Sequence, residues 1–318
     1  MAAMTRGQFV QLLTVGLHKI FNQFTDTVMR NPDYDVIFNQ EDSINAFEDE
    51  IEMAGAGPMV EKPEGSPVFY DQLIQGGTKR YVMFTYALGL RASYELVNDD
   101  KYGFIKKGPQ AIMRSAQFTK ASTIWSVINN GFSSTLSVDG VSLFNNQHPL
   151  LGGAAATNVG PGLTNVISAS GTYPNRPATD ADLSVTSLQL MINQFNRLVD
   201  GQGIPIMYKP SVILIPPELE MIATEILGSP TKPYTSDNEI NWLAGRELKW
   251  FSTPYLTSQS AWFALTDKMG HQLKYFDREK FFDDYDDDFD TRAVKQVCIG
   301  RWGQGVTSWL GTWGSNGP

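Results

Sequence analysis

Val212-Ile-Leu-Ile-Pro-Pro-Glu-Leu-Glu220 holds a strand, its stop and the start of a helix. Four consecutive apolar residues, most of them β-branched, suit a strand buried on both faces. Pro216 and Pro217 cannot donate to a ladder, and Pro followed by an acid suits a first helical turn. The helix is predicted to run through Ile226 and to end at Gly228. Upstream, Leu188, Met191, Ile192, Phe195, Leu198 and Val199 mark another helix, closed by Gly201. Downstream, strands are predicted over Lys249 to Pro254, Ala261 to Asp267 and Leu273 to Phe276. Helices and strands mixed in this way predict a compact α/β unit inside an α+β chain.

Further out lies a longer helix, predicted from Pro109 to Asn130 and spanning roughly 30 Å. Pro109 suits its first position, and Gly131 suits a left-handed residue just past its end. Ile112, Ala116, Thr119, Thr123 and Val127 form one stripe. Before it, two β-prone runs, Val68 to Ile74 and Lys79 to Gly89, flank Gln75-Gly-Gly-Thr78, which predicts a hairpin. Two strands alone are marginal in water, so the hairpin must lean on something else. At the amino terminus Phe9, Leu13, Leu17, Ile20, Phe24 and Val28 recur at helical spacing until Asn31-Pro32. Only Arg6, Lys19 and Arg30 are cationic there, so docking on protein is favoured over a membrane surface. An acidic stretch, Glu41 to Glu52, follows.

The 318 residues carry 34 acids against 25 bases, a net charge of −9, the wrong sign for gripping nucleic acid by counterion release. A single cysteine, Cys298, excludes an internal disulfide framework and a thiolate zinc cluster. No apolar run is long enough to span a membrane. Residues 152–179 are almost free of charge and rich in Gly, Ala, Thr and Asn, which predicts a long loop.

No catalytic set emerges. Asp284, Asp286 and Asp288, within Asp283-Asp-Tyr-Asp-Asp-Asp-Phe-Asp290, alternate as in a calcium loop. Phe289 stands where the turn glycine belongs, however, and Lys295 where the bidentate Glu belongs, so a solvated turn between strands is expected. His148 has no legible nucleophile or carboxylate partner. Cys298, within Val297-Cys-Ile299, is expected to be a buried thiol. Gly152-Gly153 and Gly160-Pro-Gly162 lack the context of a phosphate cradle. Trp302, Trp309 and Trp313 have few flanking cations and are expected to pack rather than stack on bases. The expectation is no catalytic, cofactor-binding or metal residue and no cofactor.

Several blocks, in order, resemble the major capsid proteins of tailed bacteriophages, and in particular the Mu-like major head subunits. They are Lys62-Pro-Glu-Gly-Ser-Pro67, Leu143-Phe-Asn-Asn-Gln-His-Pro-Leu150, Gly203-Ile-Pro-Ile206 and Val212 to Glu220. Asp237-Asn-Glu-Ile-Asn241, Pro254-Tyr-Leu-Thr257 with Ala261-Trp-Phe263, and Asp288-Phe-Asp-Thr291 complete the series. The resemblance runs from about Lys62 to Trp313 and implies the Hong Kong 97 capsid fold. Its parts would be an N-terminal arm (1–58), an extended β-hairpin arm (59–96) and a peripheral domain (97–182) with spine helix 109–130 and loop 152–179. An axial domain (183–292) and a C-terminal return to the peripheral domain (293–318) would follow. It implies a non-enzymatic structural protein that self-assembles into hexamers and pentamers of an icosahedral shell around double-stranded DNA. Portal, scaffolding and decoration proteins are implied partners, with no membrane and only non-specific contact with DNA. The short region ahead of the hairpin predicts a scaffold on a separate chain. The implied location is the virion, after assembly in the host cytoplasm. The alternative is an encapsulin-like compartment around cargo enzymes. Some relatives of this fold join a Lys to an Asn between subunits. Lys62 and Lys79 are candidates, but nothing in the spacing selects a partner, and non-covalent interlocking is expected.

Overall fold

A computed structural model of the chain describes Leu17 and residues 19–23, 32–57, 59–93, 95–96, 99, 104–149, 172–200, 204–231, 240–246, 248–288, 290–291 and 293–317. In chain order the strands begin with β1 (Asn39–Asp42), β2 (Phe47–Ala54), β3 (Ile74–Val82) and β4 (Phe84–Ala92), followed by helix α1 (Phe104–Asn129). Next come β5 (His148–Pro149), β6 (Thr172–Tyr173), α2 (Val185–Asn196), β7 (Val212–Ile215) and α3 (Glu220–Gly228). The chain continues with β8 (Lys249–Ser252), β9 (Trp262–Leu265), β10 (Leu273–Asp287), β11 (Val294–Val306) and β12 (Thr312–Ser315). Two compact units emerge. The first is built from residues 1–48, 81–124 and 274–304, the second from 49–80, 125–273 and 305–318.

The first unit holds a sheet of order β1-β10-β11-β4, with β1 parallel to β10 and β11 antiparallel to β4. The amino-terminal helix docks here over its described part. Phe21 is buried with Ile112, Met113, Ala116 and Cys298, which removes its ring from water. Phe24 and Val28 lie outside the described residues. Trp302 stacks on Tyr86 at 4.1 Å and donates from its indole nitrogen to Thr123 Oγ1 at 2.9 Å. A buried tryptophan needs such an acceptor.

The second unit is organised around β7. Its Val-Ile-Leu-Ile run lies between β8, parallel to it, and β9, antiparallel, with β12 beyond β9. Leu188, Met191, Ile192 and Phe195 of α2 and Ala223 and Ile226 of α3 pack with Ile213, Ile215, Trp262 and Trp313. Ser184 caps α2 by accepting from the Ser187 backbone N–H, and Ser187 reciprocates to the Ser184 N–H.

Several expectations need correction. Gln75-Gly-Gly-Thr78 is not a turn: it lies inside β3, and β3 pairs with β2, while residues 84–92 pair with β11. The two-stranded ribbon is thus β2 with β3, joined by residues 55–73, and the acidic stretch supplies β1 and β2. A Cβ on Gly77 would lie 2.6 Å from the Val138 carbonyl oxygen, so the glycine serves a close backbone approach. The long helix starts five residues before Pro109, which sits inside it. Proline there lacks the N–H that would bond the carbonyl of residue 105, and its ring crowds that carbonyl. Gly131 is not left-handed; the Phe144 ring would stand 2.6 Å from its Cβ. β10 extends through much of the acidic run, where Phe281, Phe282 and Tyr285 supply strand-favouring aromatic residues. The range 183–292 is not one body, since 274–292 belongs to the first unit, and 305–318 joins the second. Gly201, Gly152-Gly153, Gly160-Pro-Gly162 and residues 152–171 lie outside the described residues.

Candidate functional site

Successive residues of a strand face opposite ways, and β2 uses this in an unusual sense. Two of its acids turn inward: Glu50 bonds to the Thr307 hydroxyl, and Ser308 Oγ donates to Glu52 Oε1 at 2.9 Å. Burial pushes the Glu52 carboxyl above its ordinary range, against the opposing effect of the Ser308 bond. The alternate residues, Ile51 and Met53, are exposed. The strand therefore fastens Glu50 and Glu52 to its own chain and leaves Ile51 and Met53, on the face shared with Asp49, in solvent.

β3 is tied down as well. Lys79 Nζ donates to the Leu136 carbonyl at 2.7 Å, and burial lowers the affinity of this amine for its proton. Arg80 donates from Nε and Nη2 to the two oxygens of Asp49, each at 2.7 Å, which pins β3 to β2 by a planar fork. Between these fixed strands, residues 55–73 expose Met59, Val60, Val68, Phe69, Tyr70 and Leu73. Such a concentration of exposed apolar side chains marks an interaction surface.

The segment beneath the ribbon contains His148, for which no partner was legible. A carboxylate partner exists. His148 Nδ1 lies 2.6 Å from Asp139 Oδ2, and Nε2 lies 3.2 Å from Asn175 Oδ1. Asn175 Nδ2 is committed to the Leu143 carbonyl at 2.7 Å, which fixes the amide with its oxygen toward the ring. Both ring nitrogens thus lie within hydrogen-bond distance of side-chain oxygens. Burial works to raise the Asp139 carboxyl, but the bonds from His148 and Ser137 outweigh it and hold it below the usual range. The ring is completely buried and stacks on Trp309 at 4.5 Å. The pair ties the 139–148 segment to Asn175.

Two further asparagines act similarly. Asn241 donates to the carbonyls of Ile226 at 2.6 Å and Ser229 at 2.8 Å, closing the end of α3. Asn129, the last residue of α1, donates to the Tyr255 carbonyl and accepts from the Thr257 N–H.

The remaining candidates are dispersed. In the acidic run, Asp288 pairs with Lys295 at 3.2 Å and, more loosely, with Arg91 at 3.9 Å. The lysine that departs from the calcium pattern thus neutralises the carboxylate. Among the described residues no three His, Cys, Asp or Glu side chains converge in a way that could hold a metal ion. Burial pushes the Cys298 thiol up to about 12, which leaves it a poor nucleophile. Trp302, Trp309 and Trp313 are all buried in packing contacts. Among the described residues no helix is long and apolar enough to cross a membrane.

Comparison with known proteins adds three findings. The family model described as "Phage capsid protein" matches residues 77–313. No curated protein matches the sequence. Among solved structures, one from Mycobacterium phage Patience is similar with a TM-score of 0.58 at 10% identity, over 95% of this chain and 88% of that one. The procapsid of bacteriophage JBD30 gives 0.53 at 14%, over 99% and 77%, and Microbacterium phage Oxtober96 gives 0.51 at 11%, over 87% and 85%. At these identities the likeness establishes the fold, the mixed helix-and-sheet fold of the Hong Kong 97 type.

Proposed function

Since the chain belongs to the phage capsid protein family, a structural role in the virion is its function, and we propose the form that role takes. The subunit self-assembles into hexamers and pentamers that close into an icosahedral shell around double-stranded DNA. The single observation that carries this is the inverted ribbon: Glu50 and Glu52 turned in, Ile51 and Met53 turned out, and six large apolar side chains exposed on residues 55–73. Leaving that surface in water is unfavourable for an isolated subunit; many copies, each covering a neighbour's ribbon, remove it. The first unit, with its long-helix portion, plays the peripheral part, and the β7-centred unit the axial part. The acidic balance lets a shell hold DNA without adhering to it. A portal, scaffolding and decoration proteins are its partners, and assembly takes place in the host cytoplasm. The enzyme-compartment alternative has no observation in its favour.

Replacing residues 59–70 with a short Gly-Ser linker tests this reading. The expected product is a folded subunit that forms no closed particles by negative-stain microscopy, where the intact chain forms them. Normal shells from the shortened chain would refute the ribbon's role.

A further inference from the structure

In the second unit a cavity of about 680 Å³ opens between the Met207–Ser211 segment, Arg246, Leu248 and Asp267. Met207 stands at φ 59° with its side chain largely exposed. A left-handed conformation at a residue other than glycine is strained and tends to persist where a ligand or partner uses it. The Arg246 guanidinium lies 4.0 Å above the ring of the half-exposed Trp242. Among the described residues neither Arg246 nor Lys209 has an ion-pair partner, and Asp267 is the one acid in the lining. In a chain of net charge −9 this is a cationic, aromatic-walled recess.

An acid beside an exposed aromatic group is its complement. Several acids on the described surface are occupied: Asp49 by Arg80, Asp71 by the N–H groups of Gly57 and Gln72, and Asp288 by Lys295. Asp284 differs. It is exposed and accepts only from the next residue's N–H, at 2.9 Å, so its second oxygen remains available. It shares a face of β10 with Phe282, which is 45% exposed.

We propose that this recess receives the Phe282–Asp284 face of β10 from a second copy of the chain. Asp284 pairs with Arg246, and Phe282 covers the wall formed by Met207 and Tyr208. The inference rests on the shell reading and names one contact within it. A mixed apolar and acidic surface suits the lining better than a phosphate group does, because Asp267 and four largely apolar side chains surround only two cations.

Charge exchange tests it. Arg246→Glu and Asp284→Arg are each expected to lower particle yield at least about tenfold, and the double variant to restore it to within about twofold. Circular dichroism of each variant verifies folding. Asp284 is on an exposed position, so its variant keeps the test open even if Arg246→Glu fails to fold. A wild type that makes no particles sinks the shell reading and this contact with it. Wild-type particles alongside full yield from either single variant overturn the contact alone. So does a double variant no better than the folded singles, which would assign the recess to another occupant.

Discussion

Lys120 Nζ lies 2.6 Å from one carboxylate oxygen of Asp277 and 2.8 Å from the other, with the two side chains only 6% and 7% exposed. The ammonium also sits 5.3 Å from the centre of the Tyr275 ring and 5.9 Å from those of Tyr34 and Phe281. Gln40 donates to the second carboxylate oxygen at 3.3 Å. The pair therefore joins the long helix, β10 and β1 within the first unit. Removing one partner strands a charge in an apolar site, and that cost exceeds the net value of the pair.

Asp277→Ala is therefore expected to destabilise the purified subunit by about 3–5 kcal/mol. The double variant Lys120→Met with Asp277→Leu should recover most of that loss, because it buries no charge. Chemical denaturation of the three proteins measures both values.

His271 gives a pH window. Its ring is buried, and the Leu273 N–H donates to its Nδ1 at 3.4 Å, which requires an unprotonated acceptor. Burial lowers its pKa from 6.5 to about 4. As pH falls below about 6.5 the unfolded chain takes up this proton while the folded chain does not. The contribution is thus complete above 6.5 and is lost progressively toward pH 4, by about 3 kcal/mol in total. Stability measured from pH 7 to pH 4 should fall less steeply in His271→Asn than in the wild type.

Legibility followed the range of the forces involved. β7 and its two flanking helices were readable because an apolar run and 3.6-residue periodicity are local signals, and the core that they form is continuous. Partners that meet only through the fold were not. Asp139 is nine residues from His148, but its role depends on Asn175 and Trp309, which arrive from elsewhere in the chain. The ribbon misled for a related reason. A Gly-Gly pair signals a turn when the neighbouring strands pair with each other, and here β3 pairs with β2 across the 55–73 segment. Alternation in β2 does carry the inverted ribbon in plain view, as Glu50-Ile-Glu-Met53, but which face is inward is decided by Thr307 and Ser308.

Those two hydroxyls should control how firmly the ribbon is held. Thr307→Val with Ser308→Ala removes the hydroxyl bonds to Glu50 and Glu52 while altering little volume. Local opening then becomes easier although the core is untouched. Limited proteolysis should cut within residues 55–73 roughly fivefold faster than in the wild type, with little change in the global unfolding transition.

Two glycines of the ribbon separate close approach from backbone conformation. Gly65 has φ 79° and nothing within 4 Å of where a Cβ would stand. Gly65→Ala should therefore cost only the left-handed strain, about 1 kcal/mol, in a loop exposed to solvent. Gly77 is the reverse case. Its Cβ would meet the Val138 carbonyl oxygen at 2.6 Å and Val138 Cγ2 at 3.2 Å, and the oxygen is backbone that cannot swing aside. The Val138 N–H is itself held by the Thr307 carbonyl at 2.8 Å, so the whole segment resists displacement. Gly77→Ala should therefore lift β3 from its seat and lengthen or break the Lys79 bond to Leu136. Hydrogen exchange at residues 74–80 is the measurement: faster exchange in Gly77→Ala, unchanged in Gly65→Ala. Shell yield should follow the same order, because a displaced ribbon presents its apolar face at the wrong angle to a neighbour.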